Sequence, residues 1–331
     1  MTDVVALAAE LLTIDSTTGS ESTVVDFVAR RLVARGWNVT TQEVSKGRAN
    51  IWASRAGGGV TLSTHLDTVP PYIAPRLTGD RLMGRGACDA KGIAAAMLVA
   101  ADNLVKAGEQ RVDLLFVVGE EKGSDGARAA NRRPATSRFL VNGEPTESRL
   151  ASGAKGSLRV TVRTRGRAAH SAYPHLGESA IMPMLLLLPT LEQLDLPVDD
   201  ILGDTTVNIG TVRGGSEANI IPAFAEAELM FRLIGDVDDI KAKIDDWARG
   251  KAEIEYGSYI PAQHFRTIPG FDMSPVAYTS DIPLLGRWGT PLMFGPGSIH
   301  VAHTSDEFID IGELRAAVGS YETIVKSLLA E

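Results

Sequence analysis

The stretch "TLSTHLDTVPP", residues 61–71, leaves the Gly57–Gly59 turn as an apolar, β-branched run, ends on His65 and Asp67, and is stopped by Pro70 and Pro71. Such a run reads as a strand buried on both faces. "NIWAS" (50–54), "VDLLFVV" (112–118), "RFLVNG" (138–143) and "PLMFG" (291–295) share its character. Apolar residues at helical spacing predict helices near 3–13, 21–35, 91–107 and 312–329. Buried strands alternating with helices make this part of the chain an α/β layer sandwich.

The middle of the chain follows another pattern. "SLRVTVRTRGR" (157–167) alternates Leu158, Val160 and Val162 with Arg159, Thr161 and Arg163, the mark of a half-exposed strand. "TTVNIGTVRGG" (205–215) and "FAEAELMFRLI" (224–234) are similar, with helical stretches near 177–194 and 236–249. These segments predict an α+β insert over 156–262, which divides the larger domain into 1–155 and 263–331. Pro183 and Pro189 predict a kink or break in the apolar helix "IMPMLLLLPTL" (181–191).

At 331 residues and 44% hydrophobic content, the chain can bury a large core in one large domain or two smaller ones. A formal charge of -8 argues against a nucleic-acid or anionic-membrane partner, which leaves a small molecule as the expected one. No run approaches the roughly 18 uninterrupted apolar residues of a membrane span. "MTDVVALAAELL" lacks a basic leader region, and the single cysteine, Cys88, has no partner for an internal disulfide. The expected location is the cytoplasm.

Side chains at i and i+2 of a strand share a side, so His65 and Asp67 can face one spot at the strand's carboxyl end. Alone, the pair fits a hydrogen-bonded couple as well as a metal ligand with its orienting carboxylate. Other strand ends read the same way. "GRGACDAKG" (84–92) carries Asp89 just before a helix, "LLFVVGEEKGSDGA" (114–127) ends on Glu120 and Glu121, and "FLVNGEPT" (139–146) ends on Glu144. Parallel sheets gather ligands beyond their carboxyl ends, so these groups can converge on one crevice. Carboxylates crowded there repel one another, and a divalent cation is the simplest neutraliser. The alternative places each acid in its own solvated turn. Among the six histidines, His303 in "FGPGSIHVAHTSDEF" (294–308) adds an imidazole. Imidazoles and carboxylates without a thiolate suit zinc, with cobalt or manganese possible. Two imidazoles and three carboxylates exceed one catalytic zinc and suit two ions about 3.5–4 Å apart sharing a carboxylate.

"STHLDTVPP", "GRGACDAKGIAAA", "VVGEEKGSDGA", "VNGEPT", "GRAAHSAYPHLGESA" and "FGPGSIHVAHTSDEF" occur in the order found in the zinc aminoacylase family, and the chain resembles that family over nearly its whole length. The family includes acetylornithine deacetylase, succinyl-diaminopimelate desuccinylase, aminoacylase and carboxypeptidase G-type enzymes. The ending is most similar to acetylornithine deacetylase and its N-acyl-lysine relatives, which implies a place in arginine or lysine biosynthesis. The resemblance implies a three-layer α/β catalytic domain with a mixed, mostly parallel sheet and an inserted α+β dimerisation or lid domain. It implies two Zn2+ per subunit, with His65 and Glu144 on one, Glu121 and His303 on the other, and Asp89 bridging. Asp67 would orient His65, and Glu120 would be the general base that activates water to attack the amide of an N-acyl amino acid.

From its residues alone His170 reads as a surface-loop histidine; the resemblance gives it a role across a homodimer, stabilising the partner site's oxyanion. By the same resemblance Arg232 and Asn219, together with backbone amides near Gly297, are candidates to hold the substrate carboxylate, for which a guanidinium offers a bidentate fork. Cys88 reads as a small buried side chain beside Asp89. The resemblance puts Ser280 and Asp281 where family members vary with the substrate side chain, while Ser280 suits helix capping equally well. Desuccinylase, aminoacylase and dipeptidase activities would use the same ligands. A non-catalytic amino-acid- or peptide-binding homologue and a purely structural metalloprotein are the alternatives of other classes.

Overall fold

The Val60–His65 strand lies inside a six-stranded sheet whose order is Asn38–Ser45, Arg48–Ser54, Val112–Val117, Val60–His65, Phe139–Asn142 and Thr290–Met293. The last four are mutually parallel, and the Asn38–Ser45 and Arg48–Ser54 hairpin joins them antiparallel. The computed structural model describes residues 3–133 and 136–331. It separates into two units: residues up to Ser152 with Phe265–Ser274 and Ser280–Glu331, and Gly153–His264 with Pro275–Thr279. The expected insert over 156–262 compares with this second unit, which also takes in a short later segment.

In the first unit every residue of Val60–His65 and Val112–Val117 is buried, which explains the uninterrupted apolar runs. Helices Val4–Leu12, Lys91–Lys106 and Ile311–Leu329 pack on one another, the last two also on the sheet, and Ser22–Ala34 packs on the antiparallel hairpin. Lys91–Lys106 is apolar on nearly every side and buried from Lys91 to Asp102. The ammonium of buried Lys91 donates to the Leu11 and Ile14 carbonyls at 3.3 and 2.7 Å, tying the helix that follows Asp89 to the end of Val4–Leu12. A three-stranded sheet of Arg76–Thr78, Arg81–Met83 and Phe308–Asp310 sets residues 84–89 beside residues 303–307.

The second unit is a four-stranded antiparallel sheet in the order Thr206–Gly214, Phe224–Leu233, Gly156–Arg165 and Glu253–Ile260. Leu158, Val160 and Val162 are fully buried with Leu229 and Phe231 against Ile240, Ile244 and Trp247 of the Val237–Ala248 helix, as the alternation requires. The edge strand Thr206–Gly214 leaves Ile209 and Val212 exposed. The helix expected near 177–194 is shorter and breaks. Pro183 falls in the first turn of Ile181–Leu187, where its missing N–H costs nothing, and Pro189 opens a 3-10 segment over Leu188–Gln193. Among the described residues no helix is long and apolar enough to cross a membrane.

Candidate active site

The central strand of the first unit ends on His65, which is buried. Its Nδ1 lies 2.9 Å from the main-chain oxygen of Asp67, so its Nε2 points the other way, to within 3.1 Å of Asp89 Oδ1. The other oxygen of Asp89 lies 3.1 Å from His303 Nε2, which is itself 3.0 Å from Glu121 Oε2. Asp89 therefore presents one oxygen to each of two imidazoles. Ligand atoms of His65, Asp89 and Glu121 all fall within 4.8 Å of one another. Glu144, after the Phe139–Asn142 strand, is buried, and its Oε1 has no hydrogen-bond partner among the described residues. A carboxylate divided between two imidazoles, beside an orphaned buried carboxyl oxygen, fits a pair of cations, and the hard oxygen and imidazole donors fit zinc. His303 holds its place in a left-handed backbone conformation, φ 64°. Such conformations cluster where surrounding structure fixes a functional group.

Glu120 and Glu121 lie beyond the end of Val112–Val117, on the 3-10 turn Glu120–Lys122. The sequence had suggested adjacent positions at a strand end. Glu120 and Glu121 nonetheless point to different sides, because successive side chains of a 3-10 turn diverge by about 120°. Gly119 makes the turn possible: its φ is +78°, and a Cβ there would lie 2.0 Å from Asp125 Oδ1. Asp67 holds the turn. Its Oδ1 accepts the Glu120 amide at 3.1 Å, and its Oδ2 accepts the Glu121 amide at 3.2 Å and the Thr18 hydroxyl at 2.8 Å. The main-chain oxygen of Asp67 lies 2.9 Å from His65 Nδ1, and its carboxylate lies 3.6 Å from the same nitrogen.

Electrostatics follow from this crowding. Burial, reinforced by Glu144 and Asp281, pushes the Glu120 carboxyl well above the usual range, even though part of its side chain is open to solvent. Burial likewise raises Glu144, against the pull of His65. Burial opposes ionisation of Asp89, but His303 and His65 hold it below the usual carboxylate range. Hydrogen bonds that its ring donates to Asp89 and Glu121 push His303 up to about 10. For His65, burial works against the charged form, yet Asp67 and Asp89 raise it well above its ordinary value.

Two buried acids of this unit escaped the sequence reading of the centre. Asp281 precedes the Ile282–Leu284 turn, and burial raises its carboxyl to about 6. Glu307 is buried against Arg85. Neither ends an apolar strand, the signal that singled out the others. Ser280 Oγ accepts the Ile282 amide at 3.3 Å, as a capping residue does. Gly297 passes over Cys88, where a Cβ would lie 2.6 Å from Cys88 Cβ, and its amide donates to Glu313 at 2.9 Å, so that amide is engaged within the chain.

His170, Asn219 and Arg232 belong to the second unit. His170 is exposed, bridges Ile220, and accepts the Ala172 amide on Nδ1 at 3.1 Å. The Asn219 carbonyl accepts the Ser171 amide at 2.9 Å, so these two loops lie together. Arg232 is half-buried on Phe224–Leu233, opposite Thr206 and Ser157.

Residues 152–255 match the peptidase dimerisation domain of M20 enzymes, and residues 50–148 match peptidase family M28. A peptidase M20 domain-containing protein of Schizosaccharomyces pombe is 38% identical over 336 residues, covering 98% of this chain and 84% of that protein. The chain belongs to the M20 peptidase family. A probable carboxypeptidase of Aspergillus clavatus is 37% identical over 370 residues, covering 97% and 81%. The M20 fold recurs in a tripeptidase from Staphylococcus aureus, with TM-score 0.84, 23% identity, and 99% and 98% of the two chains covered. It recurs also in an M20 family metallo-carboxypeptidase from Sulfolobus solfataricus, with TM-score 0.77, 18% identity, and 98% and 99% covered. As an M20 member the chain is a hydrolase of metallopeptidase type, and His65, Asp89 and Glu121 form a group able to hold metal.

Proposed function

We propose that the chain is a di-zinc amidohydrolase that cleaves the amide on the nitrogen of an amino acid whose own carboxylate is free. The N-acyl amino acids of the acetylornithine and N-acyl-lysine type present that bond, and so does the last residue of a short peptide, the substrate implied by relatives named probable carboxypeptidases. The observation that carries the reading is Asp89, divided between His65 and His303 while Glu120 stands beside them engaged, among the described residues, only through its main chain. His65 and Glu144 would hold one zinc, Glu121 and His303 the other, and Asp89 both; cobalt or manganese would suit the same donors.

Bound divalent cations supply Lewis acidity at such a centre. The residues do the rest. Glu120, whose carboxyl burial raises and so makes a stronger base, takes the proton of the attacking water and returns it to the leaving nitrogen. Asp67 fixes the turn on which Glu120 sits, which keeps that transfer short. Arg232 and Asn219 are proposed to hold the substrate carboxylate, and His170 to meet the developing oxyanion of a partner subunit in a homodimer. A buried, unpaired Cys88 is in keeping with a cytoplasmic setting.

The test is a substrate panel on protein stripped of metal and reloaded with zinc or cobalt. N-acetylornithine, N-acetyl-lysine, N-acetylcitrulline, N-succinyl-diaminopimelate and a dipeptide are offered in parallel. Turnover of at least one, abolished by a chelator and restored by metal, is the expected result. Tight metal binding with no turnover of any free-carboxylate amide would overturn the substrate class, and failure to bind metal would overturn the mechanism.

A further inference from the structure

We infer that Glu307 is the positioning residue that fixes Asp89 and His303 at the spacing a shared pair of cations requires; this rests on the two-metal reading above. Glu307 is 1% exposed, and every oxygen of its carboxylate is committed. Oε2 accepts the Arg85 guanidinium at 2.6 Å. Oε1 accepts the main-chain amides of Gly86 at 2.9 Å, Cys88 at 3.3 Å and Asp89 at 3.3 Å. Successive amides turned toward one anion form a cradle whose shape depends on the anion remaining in it. Here the anion is a side chain, and the last of those amides belongs to the residue that faces both imidazoles.

The same carboxylate reaches the second imidazole through the chain and through Arg85. Glu307 follows His303 by four residues, its main-chain oxygen accepts the Gly84 amide at 3.0 Å, and Arg85 Nη1 also donates to the Thr304 carbonyl at 3.1 Å. Phe308 pairs with Met83 in the adjoining ladder. The segment bearing Asp89 and the turn bearing His303 therefore close on one buried ion pair, and their 3.1 Å approach is set there. A glutamine at 307 cannot reproduce this. Its single carbonyl oxygen must choose between Arg85 and the amides, and its NH2 group turns a donor toward the remaining donors.

Glu307→Gln, Glu307→Asp, Asp89→Asn and the unaltered protein are compared by zinc stoichiometry after dialysis and by competition with a chromogenic chelator. Outer partners of metal ligands change affinity by about 10- to 100-fold. Glu307→Gln is expected to lose affinity by that factor, Glu307→Asp to lose less, and kcat of Glu307→Gln to recover toward the unaltered value at saturating zinc with KM unchanged. A fold-wide defect would not be rescued by metal. If Glu307→Gln does not fold, Arg85→Lys, which keeps the charge and loses the fork, carries the test with the same expectation at smaller size. Affinity and kcat unchanged in a folded Glu307→Gln would overturn the inference while leaving the two-metal reading intact. An unaltered protein that binds no zinc, like Asp89→Asn, would instead overturn the two-metal reading.

Discussion

The Glu120–Lys122 turn and the 85–89 segment are each hung on one buried carboxylate that collects main-chain amides, but the two anchors differ in what balances their charge. Glu307 meets a guanidinium inside the protein, whereas Asp67, among the described residues, meets only amides, the Thr18 hydroxyl and the neighbouring His65. Their protonation equilibria move in opposite directions. Burial raises Glu307, only partly offset by Arg85, while burial of Asp67 is outweighed by the hydrogen bond and charge of His65, with Thr18 and the Glu120 amide adding to them, and its carboxyl is lowered. A balanced anchor holds geometry whatever occupies the site. An unbalanced one also places negative charge behind the imidazole and the turn that it positions, and so stabilises any positive charge gathered in front of them.

The sharpest break between the two segments concerns what they carry. Glu120, on the Asp67-held turn, is assigned the proton, and a positioned acid-base group contributes about 10²–10⁴-fold. Glu120→Gln is expected to lower kcat by that factor while zinc stoichiometry stays at two. A variant with kcat within threefold of the unaltered protein would move the proton to another group and end the functional difference between the segments.

The next effect is on the metal-free protein and depends on pH. Glu120, Glu144 and Asp281 have folded values raised above their ordinary ones, Asp281 to about 6, so their stabilising share is complete at low pH and is lost as pH rises through those values. His303, raised to about 10, acts in the same direction above its ordinary value. Asp67 and Asp89, both lowered, are already ionised and contribute evenly over this range. For Asp281 alone the shift corresponds to about 3 kcal/mol once ionisation is complete. Thermal melts from pH 5 to 8 should show the metal-free Tm falling and the zinc-loaded Tm nearly level, with the gap widening. Parallel curves would mean that the metal-free protein already balances the charge of these carboxylates.

How much of this was legible beforehand follows from where the signals lie. Parallel strands buried on both faces leave uninterrupted apolar runs, and the first polar residue after each run stands at the crevice, so His65, Glu144 and the Glu120–Glu121 pair were visible one run at a time. The alternation of Leu158, Val160 and Val162 marked the second unit in the same local manner. The anchors were not visible in that way. Glu307 and Arg85 are separated by 222 residues and Thr18 and Asp67 by 49, and no periodicity links residues that meet only after folding. Glu307 stood within a quoted motif, but its partner could not be named until the small sheet set Met83 beside Phe308. The 3-10 turn was hidden because an apolar run does not show where hydrogen bonding in the sheet stops.

Asp67→Asn probes the unbalanced anchor directly. The substituted amide keeps one acceptor oxygen but turns an NH2 toward the amide of Glu120 or Glu121, and an unsatisfied buried group costs about 1–3 kcal/mol. Its charge also disappears from behind His65. Metal affinity and kcat are therefore expected to fall together, by about 10- to 100-fold. Unlike Glu307→Gln, the variant should not regain full kcat at saturating zinc, because the turn bearing Glu120 is displaced as well. Full rescue by metal would make the two anchors equivalent.

The smallest change separates charge from geometry at the same place. The Thr18 hydroxyl donates one hydrogen bond to Asp67 Oδ2, which already accepts the Glu121 amide, and Thr18 is half-buried. Thr18→Val keeps the branched shape and removes the donor, which for one hydrogen bond corresponds to about 0.5–1.5 kcal/mol. The lost donor leaves both amides and the full charge of Asp67 in place, so Tm should fall slightly while zinc stoichiometry and KM hold. Removing a donor also makes Asp67 easier to protonate, so any loss of kcat should appear first at the acidic end of the pH profile. A uniform loss of kcat across pH would instead show that Thr18 holds the turn sterically, and that the charge on Asp67 is steadied by the two amides alone.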